Sequence, residues 1–173
     1  MTLHLAAFLT TLSLSFGLPF VVQAQDTTAA TEQNITAQET PWQVNCAPRA
    51  QGGGLDCSMV KSLSFAEGNQ ILAQAAVVAG DVGEPFVLRV LAPRGMALSD
   101  GLVLKVDGNE MARAAFRTSL PGGAVAVTDM TPDLEAALRA GRMLQIEGVQ
   151  NNGNALRLEM GLMGFSAAMD KLR

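Results

Sequence analysis

The sequence predicts a mainly β protein: an antiparallel β-sandwich or partly closed barrel of about nine strands, with one short helix over 131–140 and a C-terminal helical turn. Three observations lead there. Short apolar segments alternate with the two-residue period of a strand. Turn residues punctuate them roughly every eight to twelve positions. Two of those turns, Asp107-Gly108 and Asn151-Asn152-Gly153, have the composition that closes hairpins.

The strands follow in order. Trp42, Val44 and Cys46 share one face of the first, and after the Gly52-Gly53-Gly54 loop Cys57 and Met59 continue a second, with Lys61 or Leu63 next in line. Continuous apolar runs at Ile71–Val78 and Phe86–Leu91 read as buried strands. Leu102–Val106 alternates with Lys105 outward and turns at Asp107-Gly108 into a return strand over Met111–Phe116. Pro121-Gly122-Gly123 leads into Ala124–Val127, and Met143–Val149 and Ala155–Leu162 flank the last hairpin turn.

Two segments break the rhythm. Thr131 can cap a helix with Pro132 in its first position, Asp133 and Glu135 in the first turn, Arg139 in the last and Gly141 just beyond. Gly164–Leu172 places Phe165, Ala168, Met169 and Leu172 at helical spacing.

The N-terminus reads as an address. An apolar run from Leu5 to Phe20, shorter than the roughly 20 residues of a spanning helix, ends in Val22-Gln23-Ala24 and predicts a signal peptide over 1–24, cleaved after Ala24. No transmembrane segment is expected after cleavage. Residues 25–40 carry one Ile and no aromatic, too little apolar surface to offset the entropy of ordering, and read as a disordered leader. A single β-rich domain over 41–173 follows. The expected location is therefore the periplasm or beyond.

The sole histidine, His4, lies in the expected signal peptide. Residues 25–173 thus offer no imidazole for a Ser-His-Asp triad, a Cys–His dyad or an HExxH metal site. A balance of 12 Lys+Arg against 16 Asp+Glu gives a net charge of -4, with no basic footprint for nucleic acid. The only cysteines, Cys46 and Cys57, flank a Gly-rich loop; in an oxidising compartment they read as one structural disulfide, stabilising by roughly 3 kcal/mol. A redox pair calls for C-x-x-C spacing or a nearby cation, and neither is visible.

Other candidates are weaker. Ser58-Met59-Val60-Lys61 matches a Ser-x-x-Lys pattern, but that spacing works on a helix; on a strand the two side chains point to opposite faces, so both read as surface strand residues. Asp100, Asp107 and Glu110 approach one another in sequence without the order of a calcium loop, and read as a solvated turn. Met160, Met163 and Met169 could in principle hold Cu(I); with no imidazole or free thiol beside them, they read as core filling. Arg94, between two strands, reads as an ordinary exposed arginine. No metal or cofactor is expected.

The ordered features together resemble the invasion-associated locus B proteins of alphaproteobacteria. The resemblance is carried by Trp42-x-Val44-x-Cys46, Cys57-x-Met59, the Pro93 and Gly95 turn, Val106-Asp107-Gly108, the Phe116 region, the Leu134–Gly141 helix and Leu162-x-Gly164-Phe165-x-x-Ala168-x-x-x-Leu172. It spans essentially all of 41–173. Members of the family usually carry a second cysteine pair in a Cys-x-x-x-Gly-Cys-x-Ala pattern; here Ser119 and Ala124 stand in the cysteine positions, with Gly123 and Ala126 in place. Loss of a disulfide as a unit would leave Ser119 and Ala124 within about 7 Å at Cα, with compensating packing at Ala124.

The resemblance implies an exported, mostly β domain, named for a role in host-cell invasion in some pathogens, with no catalytic residues to carry over. The expected function is a non-enzymatic binding or envelope-support protein, periplasmic or surface-associated, whose partner would be a protein, lipid or glycan of the envelope or surface. The alternative is a hydrolase whose site is assembled from dispersed carboxylates or a Ser–Lys pair. It would show as two convergent carboxylates in a concave pocket, or as Ser58 and Lys61 within hydrogen-bond reach.

Overall fold

The computed structural model describes residues 37–48, 54–66, 70–80 and 84–173. The expected signal peptide, most of the expected leader and part of the Gly52–Gly54 loop lie outside the described residues. Among those described, no helix is long and apolar enough to cross a membrane.

Among the described residues, ten strands and two short α-helices follow one another. They are β1 (Ala37–Glu39), β2 (Gln43–Pro48), β3 (Leu55–Phe65), β4 (Ile71–Val78), β5 (Val87–Ala92), β6 (Leu102–Val106), β7 (Asn109–Leu120) and β8 (Gly123–Asp129), then α1 (Pro132–Ala140), β9 (Met143–Val149), β10 (Ala155–Gly161) and α2 (Phe165–Met169), with a 3-10 turn at Asp170–Leu172. The nine expected strands and both helical segments are present. The tenth strand, β1, falls at the end of the segment read as a disordered leader, whose residues 25–36 lie outside the described residues. Ala37, Gln38 and Glu39 pair with Phe65, Ser64 and Leu63, so the backbone of β3 supplies the order that their own side chains do not.

The sheet runs β1-β3-β4-β5-β8-β7-β6-β9-β10, with β2 beside β3 on the same edge as β1. Every neighbouring pair is antiparallel, so β1 and β10, at the two ends of a nine-strand path, run in the same direction. The sheet curls into a nearly closed barrel. That settles sandwich against barrel in favour of the barrel.

Local chemistry explains the elements. At the β6–β7 turn Asp107 and Gly108 adopt φ of 48° and 87°, the left-handed pair that Asp-Gly tolerates and that matches the twist of flanking strands. Thr131 caps α1, its hydroxyl accepting from the Leu134 N–H at 3.2 Å, while Leu134 and Leu138 turn inward. Gly123 lets β8 lie close against β5, because a Cβ there would collide with the Ala92 carbonyl. One continuous core fills the barrel, with Leu88, Leu104, Leu144, Ile146, Met160 and Phe165 among its largest buried members.

Candidate functional site

The barrel closes at a seam between β10 and the β1–β2 edge. Alternation along β3 turns Met59, Lys61 and Leu63 inward, and Lys61 is only 4% exposed. Its ammonium lies 2.7 Å from the Glu39 carboxylate and donates to the Gly161 carbonyl at 2.7 Å. Glu39 in turn accepts the Gly161 N–H at 3.0 and 3.1 Å. Two side chains thus take the place of the ladder that a further strand would make with the end of β10. A Cβ at Gly161 would sit 3.2 Å from the Glu39 carboxylate, tight enough that the clasp would have to give by a few tenths of an ångström. Beside it Trp42 packs edge-on against Phe165, with ring centroids 5.2 Å apart, and its buried indole N–H meets no acceptor among the described residues.

Lys61 is therefore not the surface strand residue expected of it. The available signal was the run Cys57, Met59, Lys61, Leu63, which gave the lysine the same parity as core residues. Ser58 pairs across to Val78 and points to the other face, so Ser58 and Lys61 do not converge.

The carboxylates are engaged separately. Asp107 accepts from the Arg142 and Met143 N–H groups at 3.0 to 3.2 Å, tying the turn to the chain leaving α1. Glu110 pairs with Arg113 at 2.9 Å, and Asp100 takes the Ser99 hydroxyl at 2.8 Å. A shallow hollow of about 200 Å³ between that turn and α1 is lined by Val106, Asp107, Asn109, Met111, Ala137 and Gly141, with Asp107 its one carboxylate. The expected solvated turn is thus in part a structural fastening.

Elsewhere charge also fastens elements. Glu135 on α1 binds Arg139 at 2.8 Å and Arg173 at 2.7 Å, and Arg139 reaches Asp170 at 2.8 Å. Hydrogen bonds to Glu135 and then Asp170 raise the Arg139 pKa further. On the outer face Glu147 holds Lys105 at 2.7 Å and Arg157 at 2.8 Å, and the Lys105 hydrogen bond keeps its carboxyl below the usual glutamate range. Met160 and Met169 are buried while Met163 is 90% exposed, so the three thioethers do not gather. Arg94 donates weakly to the Pro121 carbonyl at 3.4 Å.

Cys46 and Cys57 form the expected disulfide between directly opposed residues of β2 and β3, Cα atoms 4.0 Å apart. Ser119 and Ala124 are likewise directly opposed, on β7 and β8. Such partners lie about 4.5 to 5.5 Å apart at Cα, within disulfide reach. Ala124 is buried at 5% exposure.

Residues 42–173 match the family profile described as invasion associated locus B (IalB) protein. The invasion protein B homologs of Brucella abortus strain 2308 and of biovar 1 strain 9-941 are each 27% identical over 169 residues, covering 92% of this chain and 95% of theirs. The crystal structure of invasion associated protein b from Bartonella henselae is similar at a TM-score of 0.66 and 26% identity, covering 76% of this chain and 89% of that one. The chain belongs to the invasion associated locus B family.

Proposed function

We propose that this chain is an exported protein of the periplasm or cell surface that acts by binding an envelope or surface partner, not by catalysis. The observation that carries the reading is how the molecule uses its polar groups. Lys61, Asp107, Glu135 and Glu147 are each bound to partners that hold elements together, whereas Leu98, Leu120 and Met163 stand 55%, 51% and 90% exposed. A catalytic centre needs polar groups convergent on one cavity; a binding surface needs apolar area facing out. The disulfide supports an oxidising compartment.

The test is photo-crosslinking in cells, with the crosslinker placed at Leu98, Leu120 or Met163 of the full chain, followed by fractionation. A discrete adduct in the envelope fraction, formed from one of these positions and lost on a neighbouring charged substitution, is the expected result. A chain retained in the cytoplasm with free thiols, or an exported chain giving no adduct at any position, would overturn the proposal.

A further inference from the structure

The outer edge of β10 offers main-chain groups to a further strand. Glu39 and Lys61 reach Gly161 from the side away from β9, which fixes the direction of its N–H and carbonyl. These groups alternate in direction along an antiparallel strand, so those of Ala155, Arg157 and Glu159 point the same way as those of Gly161. The Leu162 N–H, one residue on, donates to the Arg142 carbonyl on the β9 side, as the alternation requires. Among the described residues, no main-chain hydrogen bond meets Ala155, Arg157 or Glu159 at this edge. Edge strands are commonly shielded by shortness, proline, a bulge or an inward-pointing charge. At the other end of the path β1 has only three residues. By contrast β10 has seven residues in unbroken register with β9, no proline, and Leu156, Leu158 and Met160 turned inward. A regular, unshielded edge of this kind is a template for another strand.

We propose that a second copy of this chain occupies the edge, the two β10 strands pairing antiparallel about a two-fold axis at Leu158. Only odd-numbered residues present main-chain groups here, so odd must face odd. Centring the pair on Arg157 sets Arg157 against Arg157, and centring it on Glu159 sets Glu159 against Glu159; like charges directly opposed destabilise a strand pair. Centring it on Leu158 sets Arg157 against Glu159 of the second copy and Glu159 against its Arg157, so each charge meets its opposite. On the inward face the same register opposes Leu158 to Leu158 and Leu156 to Met160. Arg157 binds Glu147 through Nε and one terminal nitrogen, leaving the other terminal nitrogen for the carboxylate across the joint. The clasp limits the joint at its far end: Gly161 already gives its N–H to Glu39 and its carbonyl to Lys61. The interface is therefore isologous, with the same short stretch of β10 on both sides of the axis.

The experiment is size-exclusion chromatography with light scattering on the chain as purified from cells. The near-ultraviolet circular dichroism of Trp42, the sole tryptophan, reports folding. Wild type is expected at the mass of two chains. Glu159→Pro removes an N–H that faces only the edge, so the Trp42 signal should persist while the mass falls to one chain. Glu159→Lys and Arg157→Glu each oppose like charges across the joint, and each should give the mass of one chain. Mixing these two variants restores opposite charges at both contacts, and the mass should return to two chains. The proposal fails if wild type has the mass of one chain at every concentration, as it would if another occupant took the edge. It fails equally if folded Glu159→Pro keeps the mass of two chains, or if the mixture of folded charge variants stays at one. Loss of the Trp42 signal in Glu159→Pro would also overturn it, by placing that N–H in the barrel's own ladder.

Discussion

Glu39 and Lys61, 2.7 Å apart, grip the same residue through both of its main-chain groups: the carboxylate takes the N–H of Gly161 and the ammonium gives to its carbonyl. The pair is unequal. The Lys61 side chain is 5% exposed and the Glu39 side chain 32%. Glu39→Ala would leave a buried ammonium facing one neutral carbonyl, at a cost of about 3 kcal/mol, because removing one partner strands the other charge. Lys61→Met keeps the length of the side chain and removes the charge that needs compensation, while Glu39 still reaches water; its cost should stay within about 1 kcal/mol. Urea midpoints should therefore rank wild type, then K61M, then E39A. The opposite order of the two variants would show that Lys61 matters for its charge more than for its burial.

Ser119 and Ala124 face each other across β7 and β8 in the places that the family usually gives to a second cysteine pair. The double variant S119C/A124C should oxidise without rearrangement and raise stability by about 2 kcal/mol, the modest gain set by so short a loop. Intact mass and thiol titration read the outcome. A folded chain with two free thiols after exposure to oxidised glutathione would mean that the strand register does not bring the side chains together.

Much of this fold was legible because its cues are local. The alternation in Leu102–Val106, the Asp107-Gly108 turn and the Thr131-Pro132 helix start each depend on residues a few positions apart, and each matches an observed element. The clasp was not legible. Lys61 and Gly161 are 100 residues apart and Glu39 and Gly161 are 122 apart, so no window of sequence contains both ends. The same holds for β1, whose residues carry little strand signal and become a strand because β3 offers them an edge. The parity of Lys61 with Met59 and Leu63 was readable, but parity alone does not say whether a lysine ends a strand's buried run or continues it.

Asp107 carries two duties that substitutions can separate. Its backbone sits at φ 48°, and its carboxylate accepts the N–H groups of Arg142 and Met143. Asp107→Asn keeps both the tolerance for this conformation and one carbonyl acceptor, so it should cost less than about 1 kcal/mol. Asp107→Ala loses both and should cost about 2 kcal/mol. Thermal melts of the two variants separate them. Equal losses would show that charge on Asp107, not acceptor geometry, is what the turn needs.

Glu147 gives the fold a pH dependence with a definite sign. Its carboxylate lies 2.7 Å from the Lys105 ammonium and 2.8 Å from the Arg157 guanidinium, and the Lys105 hydrogen bond, opposed by partial burial, holds its pKa down. A carboxyl whose pKa is lower in the folded than in the unfolded chain contributes stability that is complete above the unfolded value. That contribution is lost as pH falls through the folded value. For glutamate the loss begins below about pH 4.3. Glu147→Gln should therefore cost about 1 kcal/mol at pH 7 and progressively less from pH 4 to pH 2, where the wild-type carboxyl is itself protonated. Arg157 is 60% exposed and Lys105 26%, so added salt should shrink the pH 7 gap as well. Urea midpoints of both proteins across that pH range are the measurement. A gap that stays constant from pH 7 to pH 2 would assign the loss to the shape of the side chain instead of its charge.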